Sequence, residues 1–328
     1  MEKVAVIGSN SFLGSNFINA VLENTNHRVI GISRSREYNP IFLPYKGKEG
    51  NRFTFYQKDL NNDLEDLLDL FKKEKINYIT NYAAQGMVGQ SWKNPEQWFK
   101  TNCLSIVNLT NKLRRLDSLK KYVHISTNEV YGSCNNIDEN TLLNPTTPYA
   151  TSKASADLFI KNLVNQFNFP ANIIRPTNVY GPGQQLFRII PRSIIYTKIN
   201  KKLQLQGGGK AIKSYLHVKD NSKATLKIME SGTLGEIYNL SPDSGISIES
   251  IVKKICKNLG KDFNKLVEIV GERIGQDLEY TLNSNKARKE FNWKPNIGFD
   301  EGIEQCINWV NQNWEIIQNQ PLEYIHKE

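Results

Sequence analysis

Short, nearly unbroken apolar runs alternate along the first half of the chain with stretches in which apolar residues recur every three or four positions. The runs are KVAVIG (3–8), HRVIGIS (27–33), RFTFYQ (52–57), INYITNYAA (76–84), KYVHIST (121–127) and PANIIRP (170–176). Each is short and rich in β-branched or aromatic residues, which predicts a strand. Helical spacing fills 14–23, 64–73, 95–116 and 148–166. Strands that stay apolar throughout need cover on both faces. Alternating with helices, they predict an α/β fold with a doubly wound parallel sheet and right-handed crossovers.

Beyond Arg175 the rhythm changes. PTNVYGPGQQLFRIIPRSII opens on turn residues, and LQLQGGGKAIKSYLHVKD reads as a strand, a glycine-rich loop and a second strand. NWKPNIGFDEGIEQCINWVNQNW reads as a Pro/Gly turn before an amphipathic helix. The expected organisation is a nucleotide-binding domain over 1–175 plus about 213–242. A smaller, interleaved C-terminal substrate lobe takes about 176–212 and 243–328. No repeat, low-complexity tract or flexible linker interrupts the chain.

Composition changes this picture little. The 328 residues suffice for a large core, and 39% hydrophobic with 23% charged residues is ordinary for a soluble protein. No apolar run approaches a membrane span. The opening MEKVAVIGSN enters a strand at once and leaves no room for a signal peptide, so a cytoplasmic setting is expected. Cys103, Cys134, Cys256 and Cys306 stand far apart without metal-ligand spacing and read as reduced structural thiols; no metal site is expected. The net charge of +9 is dispersed, with runs no longer than FKKEK or NKK, which argues against a nucleic-acid stripe. A basic background does concentrate phosphorylated small molecules.

VAVIGSNSFLG places Gly8 and Gly14 between the first strand and first helix, where glycine permits a tight turn and backbone N–H groups approach a pyrophosphate. With six such strands, this points to a Rossmann-like dinucleotide site. The second strand ends in Ser33, Arg34, Ser35 and Arg36, with no acid where a ribose 2′-hydroxyl acceptor is expected. Hydroxyls and guanidinium forks suit a 2′-phosphate, so NADP is expected, with NAD as the alternative. Asp59, after the third strand, suits an adenine amino group or a helix start.

VHISTNEVYG sets Thr127, Asn128 and Glu129 directly after the fifth strand, and NPTTPYATSK has a helix start written into it, with Thr147 as N-cap and Pro148 at the first helical position. Tyr149 and Lys153 then share one helix face. An ammonium near a phenol favours phenolate, a base toward a sugar hydroxyl.

These residues resemble the extended short-chain dehydrogenase/reductase family. The match rests on the Gly8/Gly14 turn, NYAAQ (81–85), Thr127, Tyr149 with Lys153, RPTNVYGPG (175–183), SYLHVKD (214–220), ERIGQD (272–277) and NWKP (292–295). One departure is Ser11, where the family usually has its middle glycine. The resemblance implies that Gly8, Ser11, Phe12, Leu13, Gly14, Ser33, Arg34, Ser35, Asp59, Leu60, Ala83, Ala84, Gln85, Asn102, Tyr149, Lys153 and Pro176 hold the dinucleotide. It places Gln85, Asn178, Arg188, Lys213 and Arg273 against a nucleotide-sugar substrate, with Arg192 a further phosphate candidate. Lys213 stands where many relatives have arginine.

Thr127-Asn128-Glu129 is similar to the Thr-Asp-Glu of dTDP-glucose 4,6-dehydratases and the Thr-Ser-Glu of GDP-mannose 4,6-dehydratases. The implied activity is NDP-hexose 4,6-dehydration. In it Tyr149 takes the C4 hydroxyl proton, Thr127 polarises the C4 oxygen, Glu129 removes the acidified C5 proton, and water leaves C6. An amide cannot protonate the departing hydroxyl, so Glu129 is expected to carry that proton too, with Asn128 holding the C6 hydroxyl. The alternatives are a 4-epimerase or 4-dehydrogenase, a UDP-glucuronate decarboxylase, and a silent NADP-sensing scaffold. The nucleotide is not readable: AAQ (83–85) leans toward GDP-sugar relatives, NWEIIQNQPLEY toward the dTDP-glucose group. A homodimer, or a dimer of dimers, is implied through the helices beginning at Pro95 and Pro148.

Overall fold

The computed structural model describes residues 1–271 and 279–327. Seven strands form the central sheet: β1 (Lys3–Ile7), β2 (Arg28–Ser33), β3 (Phe53–Gln57), β4 (Tyr78–Asn81), β5 (Lys121–Ile125), β6 (Ala171–Pro176) and β7 (Ile237–Leu240). Their order is β3-β2-β1-β4-β5-β6-β7, and every neighbouring pair is parallel. The fold is thus the doubly wound α/β sheet expected. The first six strands are those the apolar runs predict. The seventh, IYNL, escaped the pattern because it is four residues long and lies between turn-forming segments.

Both faces of the sheet are covered, which is why the strands carry no polar alternation. Val4 and Val6 of β1 enter one apolar cluster, with Phe17, Ile18 and Val21 of α1 (Phe12–Asn24). Ala5 and Ile7 point the other way, into a cluster with Leu67 and Phe71 of α2 (Leu64–Glu74). The helix expected over 95–116 is found over 95–113 with a π turn set into it: α3 (Pro95–Phe99) runs into the turn at Lys100–Leu104 and on into α4 (Ser105–Leu113). That turn carries the buried Asn102, whose side chain bonds to Gln85 and Ser152. α5 (Pro148–Phe167) starts as predicted: the Thr147 hydroxyl accepts from the Ala150 N–H at 3.2 Å, with Pro148 next in line.

A third apolar cluster belongs to the chain beyond Pro176. It joins α6 (Ile189–Lys198), the helix Ile248–Asn258 and the expected amphipathic helix, found at Phe299–Gln312. All four cysteines are free, and Cys256 and Cys306 lie in this core. α7 (Val218–Ser231) returns to the central sheet, placing Ala224, Ile228 and Met229 in the cluster of α1. Among the described residues no helix is long and apolar enough to cross a membrane.

Candidate active site

The carboxyl ends of β1, β2, β4, β5 and β6 open into one cleft of about 1160 Å3. Its position at the reversal of strand order between β1 and β4 is where doubly wound sheets take ligands. Gly8 ends β1 at φ +82°, a conformation glycine alone adopts readily, and a Cβ there would come within 2.6 Å of the Ala83 nitrogen. A Cβ on Gly14 would lie 2.3 Å from the Gly8 carbonyl oxygen. Ser11 acts as a cap: its hydroxyl accepts from the Gly14 N–H at 3.0 Å and starts α1. Phe12 and Leu13 line the cleft beside it.

At the end of β2, the Ser33 hydroxyl accepts from the Asn10 N–H at 3.0 Å, and Arg34 and Ser35 line the groove. Glu37, the nearest acid in sequence, does not reach it; its carboxylate accepts from Tyr45 and Lys46. Asn10, absent from the sequence-based candidates, lines the same groove with its Oδ1 buried and unpartnered. An orphaned acceptor and a glycine cradle at a helix N-terminus fit a dinucleotide. Asp59 and Leu60 also line the cleft, although Asp59 accepts from the Asn61 N–H at 2.8 Å and so serves its own turn. Asn102 stands behind the wall. It accepts from the Gln85 N–H at 2.8 Å and donates to the Gln85 carbonyl at 3.1 Å, so it fixes the loop Ala83-Ala84-Gln85 and does not line the cleft.

Thr127, Asn128, Glu129, Tyr149 and Lys153 converge on the cleft from β5 and α5, with Pro176 ending β6 beside them. Thr127 caps the short turn Asn128–Tyr131 and hydrogen-bonds the Tyr149 hydroxyl. Burial, then the Glu129 charge, push the Tyr149 phenol up to about 12, against the pull of Thr127 and Arg188. Burial and a nearby carboxylate thus outweigh the pull of the Arg188 charge on this phenol. Glu129 and Tyr149 line the same cleft, and the Glu129 charge raises the proton affinity of the phenol. Asn128 is buried, and its Nδ2 donor has no partner. Such a buried donor, on a residue that lines the cleft, is an open position for a ligand oxygen. Lys153 donates to the Ile125 carbonyl at 2.7 Å, and burial brings its ammonium down to about 8 against the opposing charge of Asp157.

Opposite lie the substrate candidates. Asn178 donates to the Ser214 carbonyl at 3.4 Å, Arg188 to the Gly86 carbonyl at 3.3 Å, and Lys213 lies over the Tyr280 ring. All three line the cleft. Arg273 lies outside the described residues. Sequence reasoning missed the segment 320–327, which crosses the cleft mouth. Glu323 accepts from Tyr196 at 2.7 Å, and Tyr324 meets Phe187 edge-on. His326 stacks on Trp98 at 5.3 Å, and the Lys327 carbonyl accepts from Gln85 at 2.8 Å and Arg34 at 3.0 Å. No local motif announces an extended tail of this kind.

The model of the family described as GDP-mannose 4,6 dehydratase matches residues 6–306. The chain belongs to that family. It is 30% identical to a dTDP-D-glucose 4,6-dehydratase of Dictyostelium discoideum, over 95% of this chain and 82% of the relative. The dTDP-glucose 4,6-dehydratase of Bacillus anthracis, solved in complex with NAD, superposes with a TM-score of 0.87 at 28% identity, covering 96% and 98% of the two chains. A UDP-glucuronic acid 4-epimerase of Bacillus cereus, also solved with NAD, reaches a TM-score of 0.86 at 25% identity over 94% and 99%. Proteins named for different reactions thus share this backbone, and the choice between reactions falls to the side chains in the cleft.

Proposed function

We propose that this family member is a nucleotide-diphosphate-hexose 4,6-dehydratase, converting its substrate to a 4-keto-6-deoxy sugar. The observation that carries the reading is the Glu129 carboxylate sharing the cleft with the Tyr149 phenol, close enough to raise its proton affinity. A nicotinamide dinucleotide, when bound, supplies the redox equivalent taken from C4 and returned at C6. Tyr149 accepts the C4 hydroxyl proton while Thr127 orients the oxygen by hydrogen bond. Lys153 holds a positive charge beneath this site and favours the phenolate once the substrate has displaced water. The C4 ketone acidifies the C5 hydrogen, and Glu129 removes it. Asn128, with its unpartnered donor, holds the C6 hydroxyl, and Glu129 delivers the proton with which that oxygen departs as water. A 4-epimerase has no step for this carboxylate.

Gly8, Ser11, Phe12, Leu13 and Gly14 hold the pyrophosphate; Ser33, Arg34 and Ser35 hold the adenosine ribose. We assign NADP over NAD because the acid nearest in sequence is engaged elsewhere and guanidinium and hydroxyl groups occupy the groove. Asn178, Arg188, Lys213 and Arg273 hold the diphosphate. The protein acts in the cytoplasm, in deoxysugar supply for surface polysaccharide. It does so as a homodimer or dimer of dimers, through a face on which Phe99, Leu104 and Leu158 leave apolar side chains exposed.

Mass spectrometry after incubation with GDP-, dTDP-, UDP- and CDP-hexoses tests the reading. Loss of one water without net NADPH is expected. Unchanged mass with a new isomer marks epimerisation, loss of carbon dioxide marks decarboxylation, and no turnover marks a sensor. Glu129→Gln is expected to stop water loss; elimination at full rate in that variant overturns the mechanism. Fluorescence titration with NADPH and NADH checks the cofactor, and tighter NADH binding overturns that assignment.

A further inference from the structure

His124 is the last residue but one of β5, in a run that reads as apolar strand, yet it is fully buried among charged groups. Its Nε2 is 3.3 Å from the Lys153 ammonium and 3.8 Å from Asp157 Oδ1; its Nδ1 is 3.4 Å from the Tyr122 hydroxyl. The groups facing it are Lys153 and Asp157 from α5, Arg175 from β6, bonded through Nε to Asp157 at 2.9 Å, and Tyr122 from its own strand.

A directed chain of hydrogen bonds fixes its tautomer. Asn81 Oδ1 accepts from the Ala83 N–H at 3.0 Å, so the Asn81 amide must turn its Nδ2 to the Tyr122 oxygen at 3.1 Å. Were Tyr122 to donate to Nδ1, the imidazole proton would sit on Nε2 and confront the ammonium, donor against donor. The ammonium therefore selects the Nδ1–H tautomer, whose Nε2 lone pair accepts from Lys153. Burial, together with the Lys153 and Arg175 charges, keeps the imidazole neutral, its proton affinity well below the ordinary histidine range.

We propose that His124 is a positioning residue for Lys153: together with the Ile125 carbonyl it takes two of the three ammonium protons and leaves the third for the cleft. The same chain ties the lysine to Ala83, so the cofactor loop after β4 and the ammonium are set by one network. His124 touches neither substrate nor dinucleotide in this role. The proposal rests on the reading of Lys153 as part of the site, and one arm of its test needs no substrate.

His124→Gln places an amide where Nε2 stands, and His124→Asn places one where Nδ1 stands. The first keeps the Lys153 contact and the second keeps the Tyr122 contact, and both keep a polar group in the same buried space. In protein labelled with 13C at lysine Cε, with the Lys153 resonance assigned through Lys153→Arg, the Asn variant is expected to titrate about one unit lower than the parent. That is the size expected when an ammonium loses one acceptor. The Gln variant is expected to titrate with the parent. In turnover, the Asn variant is expected to lose about tenfold in kcat with little change in KM, and its alkaline limb moves to lower pH; Gln restores both. Identical Lys153 titrations in the two variants overturn the proposal, whatever their stability. Absence of turnover in the parent would count against the dehydratase reading and leave the titration arm to decide.

Discussion

Two walls face each other across the cleft, and they are built on opposite principles. The wall formed by β5 and α5 is buried and densely hydrogen-bonded. Asp157 accepts from Ser126 and Arg175, Arg175 donates to Tyr131, Tyr131 donates to Asn239, and Lys153 rests on Ile125. The wall formed by the C-terminal lobe and the segment 320–327 offers long, half-exposed side chains. Arg192 meets Glu323 at 3.4 Å and lies over the Tyr196 ring, Arg188 donates to the Gly86 carbonyl and lies over the Phe187 ring, and Lys213 meets the Tyr280 face. In the proposed reaction the first wall fixes the reacting atoms and the second fits the nucleotide. Chemistry that tolerates little displacement is placed where dense packing forbids it.

The largest effect expected from that contrast is at Tyr149. Tyr149→Phe removes the proton acceptor alone and is expected to lower kcat about 10^3-fold, the range of a positioned acid–base group, with dinucleotide affinity within about threefold. The pH profile belongs to the same wall. Lys153 carries its charge below about 8 and loses it as pH rises through that value. Turnover is therefore expected to fall on the alkaline side, tenfold per unit once deprotonation dominates, and not on the acid side from this group. A pH–kcat profile flat to pH 10 breaks the link between the buried wall and its charge.

Next in size is a stability effect. Asp157→Ala strips the carboxylate from the buried pair with Arg175, both nearly fully inaccessible. An uncompensated buried charge costs about 3–5 kcal/mol, to be read from urea midpoints. The exposed pair across the cleft is the control: Glu323→Ala is expected to change stability by under about 1 kcal/mol. Equal losses at the two sites erase the distinction between the walls.

The same contrast explains what could be read from the chain. The bonded wall was legible because its chemistry is local: Thr127 and Glu129 follow a strand, and Tyr149 and Lys153 are one helical turn apart after an N-cap. Six strands were legible because apolar continuity records burial on both faces. His124 was not, since a histidine inside an apolar run carries no mark of the lysine 29 positions away. Ser11 looked like a lost glycine until its hydroxyl was seen capping α1. Asn10 and the π turn around Asn102 follow from tertiary bonds alone. The segment 320–327 reaches residues 127 to 293 positions away, a separation at which no periodicity survives.

That segment tests the open wall directly. Inward-facing Leu322, Tyr324 and His326 alternate with exposed neighbours, as in an extended chain laid across a surface. Its removal after Gln320 deletes the stack on Trp98 and the carbonyl shared by Gln85 and Arg34. Dinucleotide dissociation is expected to accelerate about tenfold, equivalent to about 1.4 kcal/mol, while the Tyr149 step is unchanged at saturation. Stopped-flow displacement measures the first and single-turnover kinetics the second. Unchanged dissociation would show that the cradle at Gly8 holds the dinucleotide unaided.

The smallest expected effect is at Lys213, and its sign matters more than its size. An ammonium presents a point charge to a diphosphate, whereas a guanidinium presents a planar fork that grips two oxygens. If the open wall is half-exposed because its function is to accommodate, Lys213→Arg lowers KM for the NDP-hexose by about threefold and leaves kcat unchanged, since added binding is shared by ground and transition states. Lys213 already lies over the Tyr280 ring, a surface on which guanidinium stacks as well, so the substitution needs no rearrangement of the aromatic. A fall in kcat instead of KM would mean that this side chain takes part in the fixed geometry across the cleft, and the division between a rigid and an adaptable wall would then have to be drawn on the far side of Lys213.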